Sequence, residues 1–374
     1  MVFIGYRNAN VRNNAYFGKN SIEMVVQKDI VAISIPFLAG VITAALVPPG
    51  SDALWTVAGT ACLAAAALLL CLCGRGERTA VALALFFCLG LLCGANAALL
   101  PPGGSGGAPG RALDGLLGAI DRAGFPHEST SALLKALLCG RREEMDRGTL
   151  EAFRAAGASH ILALSGLHLG ILYGILQRGL AWMGRSRAAL RLRSAVCIAA
   201  AGAYLAMTGA SPSLVRAFLF ICLGELSRLL PGRRRRPVSV FCAALTLQLA
   251  VSPGVVSSLG FQLSYLAMLG IVLVFPKLEA WYPPGPRWDP VRRIWSAVAL
   301  TLSCQLFTAP LVWIRFHSFP KYFLLTNLGA LPLTEAFILC ALPTLLPACP
   351  AGIKNLADGI GQILISFLET VASI

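Results

Sequence analysis

Apolar residues dominate this chain in long runs, and the runs are separated by short polar or basic connections. Eleven runs approach the length of about 20 residues that a helix needs to cross a bilayer. They fall at roughly 29–47, 53–73, 79–100, 159–177, 194–209, 213–230, 237–251, 257–275, 294–314, 322–346 and 356–374. The seventh is short, and the tenth holds Pro332 and Pro343, so either reads as a half-span or a broken helix. The expected fold is therefore an all-α polytopic integral membrane protein of about eleven transmembrane helices. Between the third and fourth runs lies Pro101-Pro-Gly-Gly-Ser-Gly-Gly-Ala-Pro-Gly110, which has the composition of a flexible linker. Helical material follows in 111–157. There Leu133, Leu134, Leu137 and Leu138 form an apolar stripe beside the polar Lys135, Arg141, Arg142 and Arg147. Such a helix is expected to lie in the outer interface plane. The organisation read from this pattern is a polar segment 1–28 without a cleavable signal, a three-helix segment 29–100, an outer linker with amphipathic helices 101–158, and a transmembrane domain 159–374.

Composition agrees with that pattern. Of 374 residues, 57% are hydrophobic and 13% charged, against about a quarter charged in soluble domains. The net charge of +14 invites a nucleic-acid or anionic-lipid reading, but its placement explains most of it. With the N-terminus cytoplasmic, the inner connections carry 21 Lys and Arg against 2 in the short outer ones. The run Arg233-Arg-Arg-Arg236 then reads as a cytoplasmic loop. The twelve cysteines lie in or beside apolar segments, and none clusters with histidine at metal-ligand spacing. No metal and no cofactor is expected.

The polar residues inside the apolar runs are the candidates for chemistry, because polar groups in hydrocarbon are costly. Ser159, His160, Ser165 and His168 stand at the head of the fourth run. On a continuous helix Ser165 and His168 share a face. Gly166, Gly170 and Gly174 recur every four residues, as Gly90 and Gly94 do in the third run, and are read as helix-packing positions. Arg216 sits one turn inside the sixth run, after Ser211-Pro212 at its start. Glu225 points to the opposite face from Arg216 and is expected to pair with Arg228. His160, Arg216, Gln248, Gln262 and Asn327 fall at similar depth in the outer half. They form either an outer vestibule or scattered interhelical hydrogen bonds.

Four blocks of this chain resemble the ComEC family of competence proteins. They are Leu137–Gly140 through Glu151–Gly157 into Ser159-His160 and Leu164–His168; Thr208–Ala217; Gly260–Ala267 with Leu269–Ile271; and Ala309-Pro310, Phe316-His317 and Asn327–Pro332. The resemblance implies a channel that carries single-stranded DNA across the bacterial cytoplasmic membrane during natural transformation. Arg216 is then the phosphate contact at the outer mouth, and Ser165, His168, Gln262, Ser264 and Asn327 are candidates for the lining. Expected partners are single-stranded DNA, the lipid bilayer, an extracellular DNA receptor, a cytoplasmic helicase-like ATPase and further copies of the chain in a homo-oligomer. No Gly-x-x-x-x-Gly-Lys-Ser/Thr loop supplies energy from within.

The chain also departs from the family pattern. An acidic residue often follows the glycine matched by Gly140, where this chain has Arg141. The Gly/Pro linker stands where many members carry an OB-fold. His127, His160, His168 and His317 are too far apart for the metallo-β-lactamase-like cluster found in others, so no nuclease activity is expected. Two other classes stay open. One is a small-solute secondary transporter built on Arg216, Glu225, Glu335 and the broken tenth run. The other is an intramembrane serine hydrolase with Ser165 as nucleophile and His168 as base.

Overall fold

A computed structural model describes residues 20–46, 78–99, 110–184, 186–229, 237–283, 289–317, 321–347 and 349–373. Every regular element among them is helical. In chain order these are α1 Asn20–Leu46, α2 Arg78–Leu99, α3 Arg111–Ala123, α4 Glu128–Cys139, α5 Arg147–Ala155, α6 Ser159–Leu162, α7 Gly166–Gly179 and α8 Arg187–Met207. There follow α9 Pro212–Leu229, α10 Pro237–Val251, α11 Leu259–Leu273, α12 Phe275–Glu279, α13 Pro290–Phe316, α14 Phe323–Ala341 and α15 Ala351–Ser373. Among the described residues, four helical stretches are long and apolar enough to cross a membrane: Arg187–Met207, Pro290–Phe316, Phe323–Leu345 and Ala351–Ser373. Ile30–Leu46, Ala82–Ala95, Pro237–Val251 and Leu259–Leu273 are apolar but shorter. The second expected span, 53–73, lies outside the described residues.

The helices group into two compact units. One comprises α1, α2, α10 and the residues 218–265 around α10. Its centre is the α1–α2 pair, which touches through glycine. A Cβ added at Gly90 would stand 2.0 Å from the Phe37 carbonyl oxygen, and one at Gly40 would stand 2.1 Å from that of Phe87. Backbone meets backbone here, so the expected packing role of Gly90 holds. On α9, Glu225 is buried and bonds Arg228 at 2.8 Å, the pairing expected from their spacing.

The other unit holds residues 110–217 and 266–373. Its core forms where α4 and α5 pack on α15, with α14 alongside. Leu133, Leu134, Leu137, Phe153, Phe337, Leu364 and Leu368 are all fully enclosed there. α4 is covered on all sides rather than along one stripe: it is buried from Thr130 to Cys139 apart from Ser131. Even Lys135 is only 6% exposed, and it is held by Asp121 at 2.7 Å and Glu144 at 2.5 Å. At its other end α4 is tied to α15. His127 Nδ1 and the Thr130 hydroxyl each lie 2.7 Å from the Asp358 carboxylate, which is how an apolar helix tolerates that acid. Pro332 passes through α14 without ending it, and only Pro343, in the 3₁₀ turn Leu342–Leu345, changes the helix type.

Candidate functional site

The fourth apolar run does not form one helix. Gly157, at φ 74°, closes α5 in a left-handed turn, and the four residues of α6 follow. Ala163 and Ser165 are then extended, and α7 starts afresh at Gly166. Ser165 makes the restart possible. Its Oγ accepts from the Leu167 N–H at 3.3 Å, and its own N–H donates to His168 Nδ1 at 3.5 Å. This is a reciprocal capping box with histidine in the place usually held by Glu or Gln. The expected shared helix face is thereby corrected: Ser165 is the cap of α7, and His168 is its third residue.

The cap fixes the imidazole. With Nδ1 accepting, the proton of the neutral ring is assigned to Nε2. His168 is 0% exposed, and Nε2 has no hydrogen-bond partner among the described residues. The geometry also bears on the hydrolase alternative. Ser165 Oγ and His168 Nδ1 both face backbone amides, whereas a nucleophile and base would bond each other.

A second helix begins against this break. The chain turns through Gly209, at φ 82°, and Ala210, at φ 50°, a left-handed conformation that an alanine seldom adopts. Ser211 then does two jobs. Its Oγ accepts from the Leu214 N–H at 3.4 Å, starting α9 with Pro212 in the first turn, and donates to the Leu164 carbonyl at 3.4 Å. Gly166 allows the close approach, since a Cβ there would lie 3.0 Å from Ala217 Cβ and 3.4 Å from Arg216 Nη2. The Arg216 guanidinium therefore sits beside the first residue of α7, within electrostatic range of Cys304 on α13. Gly170 is buried, while Gly174 has nothing within 4 Å of an added Cβ.

The remaining candidates divide. His160 is exposed, with Nδ1 3.1 Å from the Gly157 carbonyl, and is close enough to His168 to influence it. Asn327 on α14 follows Thr326, whose hydroxyl donates to the Ala156 carbonyl at 2.7 Å. The Asn327 Oδ1 is buried without a hydrogen-bond partner among the described residues. His160, Ser165, His168, Arg216 and Asn327 thus belong to one unit. Gln248, Gln262 and Ser264 belong to the other. There the Tyr265 hydroxyl donates to Gln248 Oε1 at 2.8 Å, and Gln262 Nε2 donates to the Val256 carbonyl at 2.9 Å. Both glutamines serve local interhelical and turn contacts. Ser211-Pro212 marked a helix start in the sequence, but nothing there showed that Ser211 also bonds the Leu164 carbonyl. Among the described residues no cluster of three His, Cys, Asp or Glu side chains is placed to hold a metal ion.

Comparison with known proteins agrees with the blocks that meet at this break. The model of the Competence protein family matches residues 137–374, from the middle of α4 onward. The chain belongs to the competence protein family. It is 25% identical over 259 residues to ComE operon protein 3 of Bacillus subtilis (strain 168), covering 67% of this chain and 30% of that protein. It is 27% identical over 212 residues to the uncharacterized protein YcaI of Escherichia coli (strain K12), covering 54% of this chain and 27% of that protein. The chain thus spans less than a third of the length of these curated relatives. No solved structure gives a significant match.

Proposed function

We propose that the chain is a membrane conduit for single-stranded DNA in competence, set in the bacterial cytoplasmic membrane with its N-terminus inside and about eleven crossings. Membership of the competence family supports the biological role. The observation that carries the conduit reading is the interrupted fourth run. Two helix starts, a guanidinium and a buried histidine gather within a body of otherwise apolar helices. Non-helical backbone within a bilayer is tolerated where it is buried in protein or lines a polar path. A strand carrying a phosphate on every nucleotide needs such a path, with donors spaced along it rather than a dense row of cations. Arg216 contributes charge at the outer mouth. An extracellular DNA receptor delivers the strand, and a cytoplasmic helicase-like ATPase draws it in.

The test is conductance of the purified full chain in a planar bilayer. The reading expects channels that single-stranded oligonucleotide blocks from one side and duplex DNA does not. The same break favours a second reading, since interrupted helices also build the sites of secondary transporters. Concentrative uptake of a small solute, with no oligonucleotide-sensitive conductance, would favour that transporter instead.

A further inference from the structure

Positive charge gathers where α7 ends and α8 begins. Arg178 lies in the last turn of α7, and Arg187, Arg191 and Arg193 fall within the first two turns of α8. In the sequence no acidic residue stands between Glu151 and Glu225, so none is supplied locally. Among the described residues, Arg187, Arg191 and Arg193 form no ion pair. The Arg193 guanidinium bonds to the neutral amide of Gln177 on α7, and its Nε is buried with no hydrogen-bond partner among the described residues. Cations at the start of a helix also oppose its dipole. An anion from outside the chain offsets both costs.

Position decides which anion. From Ser194 to Met207 α8 carries no charge, and the helix is long and apolar enough to cross a bilayer. The arginines therefore mark where it leaves the hydrocarbon, at the depth of the lipid phosphates. Arg187 and Arg191 are exposed and one turn apart on one face of α8. In the 3₁₀ turn Leu180–Met183, Trp182 is 83% exposed, as an indole anchored in the interfacial layer is. Leu192, next to Arg191, is 53% exposed. Exposed apolar side chains among unopposed guanidinium groups match an amphiphile, whose charge and hydrocarbon are joined. A zwitterionic headgroup brings its own ammonium and offers the patch less.

We propose that the α7–α8 turn binds the headgroup of an anionic phospholipid, with Arg187 and Arg191 on the phosphate and Trp182 between headgroup and acyl chains. The contact is independent of the strand path. By holding the end of α7 at the headgroup layer, it also sets the depth of the break at Ser165, where α7 starts.

The test is tryptophan quenching of the full chain in phosphatidylcholine vesicles. A minor fraction of the lipid is replaced by phosphatidylglycerol or by phosphatidylcholine, each brominated in its acyl chains. Trp182 emission is the difference between wild type and Trp182→Phe. Brominated phosphatidylglycerol should quench it far more than the same amount of brominated phosphatidylcholine, and high salt should remove the excess. In Arg187→Gln with Arg191→Gln the preference should fall about fivefold for each arginine lost. Arg292→Gln with Arg293→Gln removes the same charge from the start of α13 and should leave the preference intact. If the first pair of substitutions prevents insertion, the salt dependence of the wild type decides. Equal quenching by the two lipids overturns the headgroup site, as does a preference that survives high salt or the loss of both arginines. An equal loss in the α13 variant also overturns it, because net charge alone would then be at work. Relief of the quenching by soluble oligothymidylate would assign the patch to nucleic acid instead.

Discussion

Stranding Lys135 should cost far more than deleting it. Lys135 is 6% exposed, and its ammonium lies between Asp121 and Glu144, whose side chains are 57% and 55% exposed. In Lys135→Met the apolar stem is replaced by one of similar volume, and the two carboxylates turn to the water they already half face. The loss is that of a surface pair, about 0–1 kcal/mol. In the double variant Asp121→Asn with Glu144→Gln, the ammonium stays buried without an opposing charge. Removing the partners of a buried charge costs about 3–5 kcal/mol, and the remaining amide oxygens place this case near the lower figure. Adding Lys135→Met to the double variant should recover most of that loss, giving a large coupling in a mutant cycle. Thermal unfolding of the full chain in detergent, followed by circular dichroism, reads all four proteins.

The same site sets an alkaline limit. Burial alone would lower the Lys135 pKa, but the hydrogen bonds and charges of Asp121 and Glu144 outweigh it and hold the group above its ordinary value. A pKa raised by folding contributes its full stabilisation below the unfolded lysine value and loses it as the pH rises through the folded one. Wild type should therefore lose stability faster than Lys135→Met at alkaline pH. A double variant as stable as wild type would refute the reasoning.

Other positions give independent checks. Gly90→Ala places its Cβ against the Phe37 backbone, which cannot give way as a side chain would, so α1 and α2 should separate and folded yield in detergent should fall. Gly174→Ala meets nothing and should raise helix stability by about 0.5–1 kcal/mol; a drop in melting temperature would contradict the placement of that face. Burial pushes the Cys139 thiol up to about 11, against the weaker opposing charges of Arg141 and Lys135. Maleimide at neutral pH should therefore label Cys139 only on unfolding, well after the half-buried Cys349. Tyr204→Phe removes a 2.7 Å bond to the Leu138 carbonyl, and leaving that buried acceptor unpaired should cost about 1–3 kcal/mol in the same melts.

Local relations were the legible ones. Glu225 and Arg228 are three apart on one helix, so their pairing follows from spacing alone. Gly90 follows from the small-residue repeat. The stripe of Leu133, Leu134, Leu137 and Leu138 marked a helix but not its surroundings. An apolar stripe beside a lysine reads alike whether that lysine meets water or carboxylates nine and fourteen positions away. The tie from His127 to Asp358 joins residues 231 apart and leaves no periodic trace. In the fourth run, apolar composition concealed the break at Ser165, because histidine is an unusual closing residue for a capping box and the run scores as hydrophobic throughout. The glycine repeat fixed an azimuth, but it could not say that, among the described residues, Gly166 has a close neighbour and Gly174 has none within 4 Å of an added Cβ.

The central claim is that this chain passes single-stranded DNA. It is tested most directly in a competent bacterium lacking only the corresponding membrane domain and keeping the rest of its uptake machinery. The full chain and its Arg216→Gln variant are expressed there, with membrane insertion verified for both, and labelled donor DNA is followed as nuclease-protected single strand inside the cell. The account predicts that the wild-type chain restores internalised single strand and transformants, and that the variant does so poorly. An inserted wild-type chain that admits no strand would contradict it.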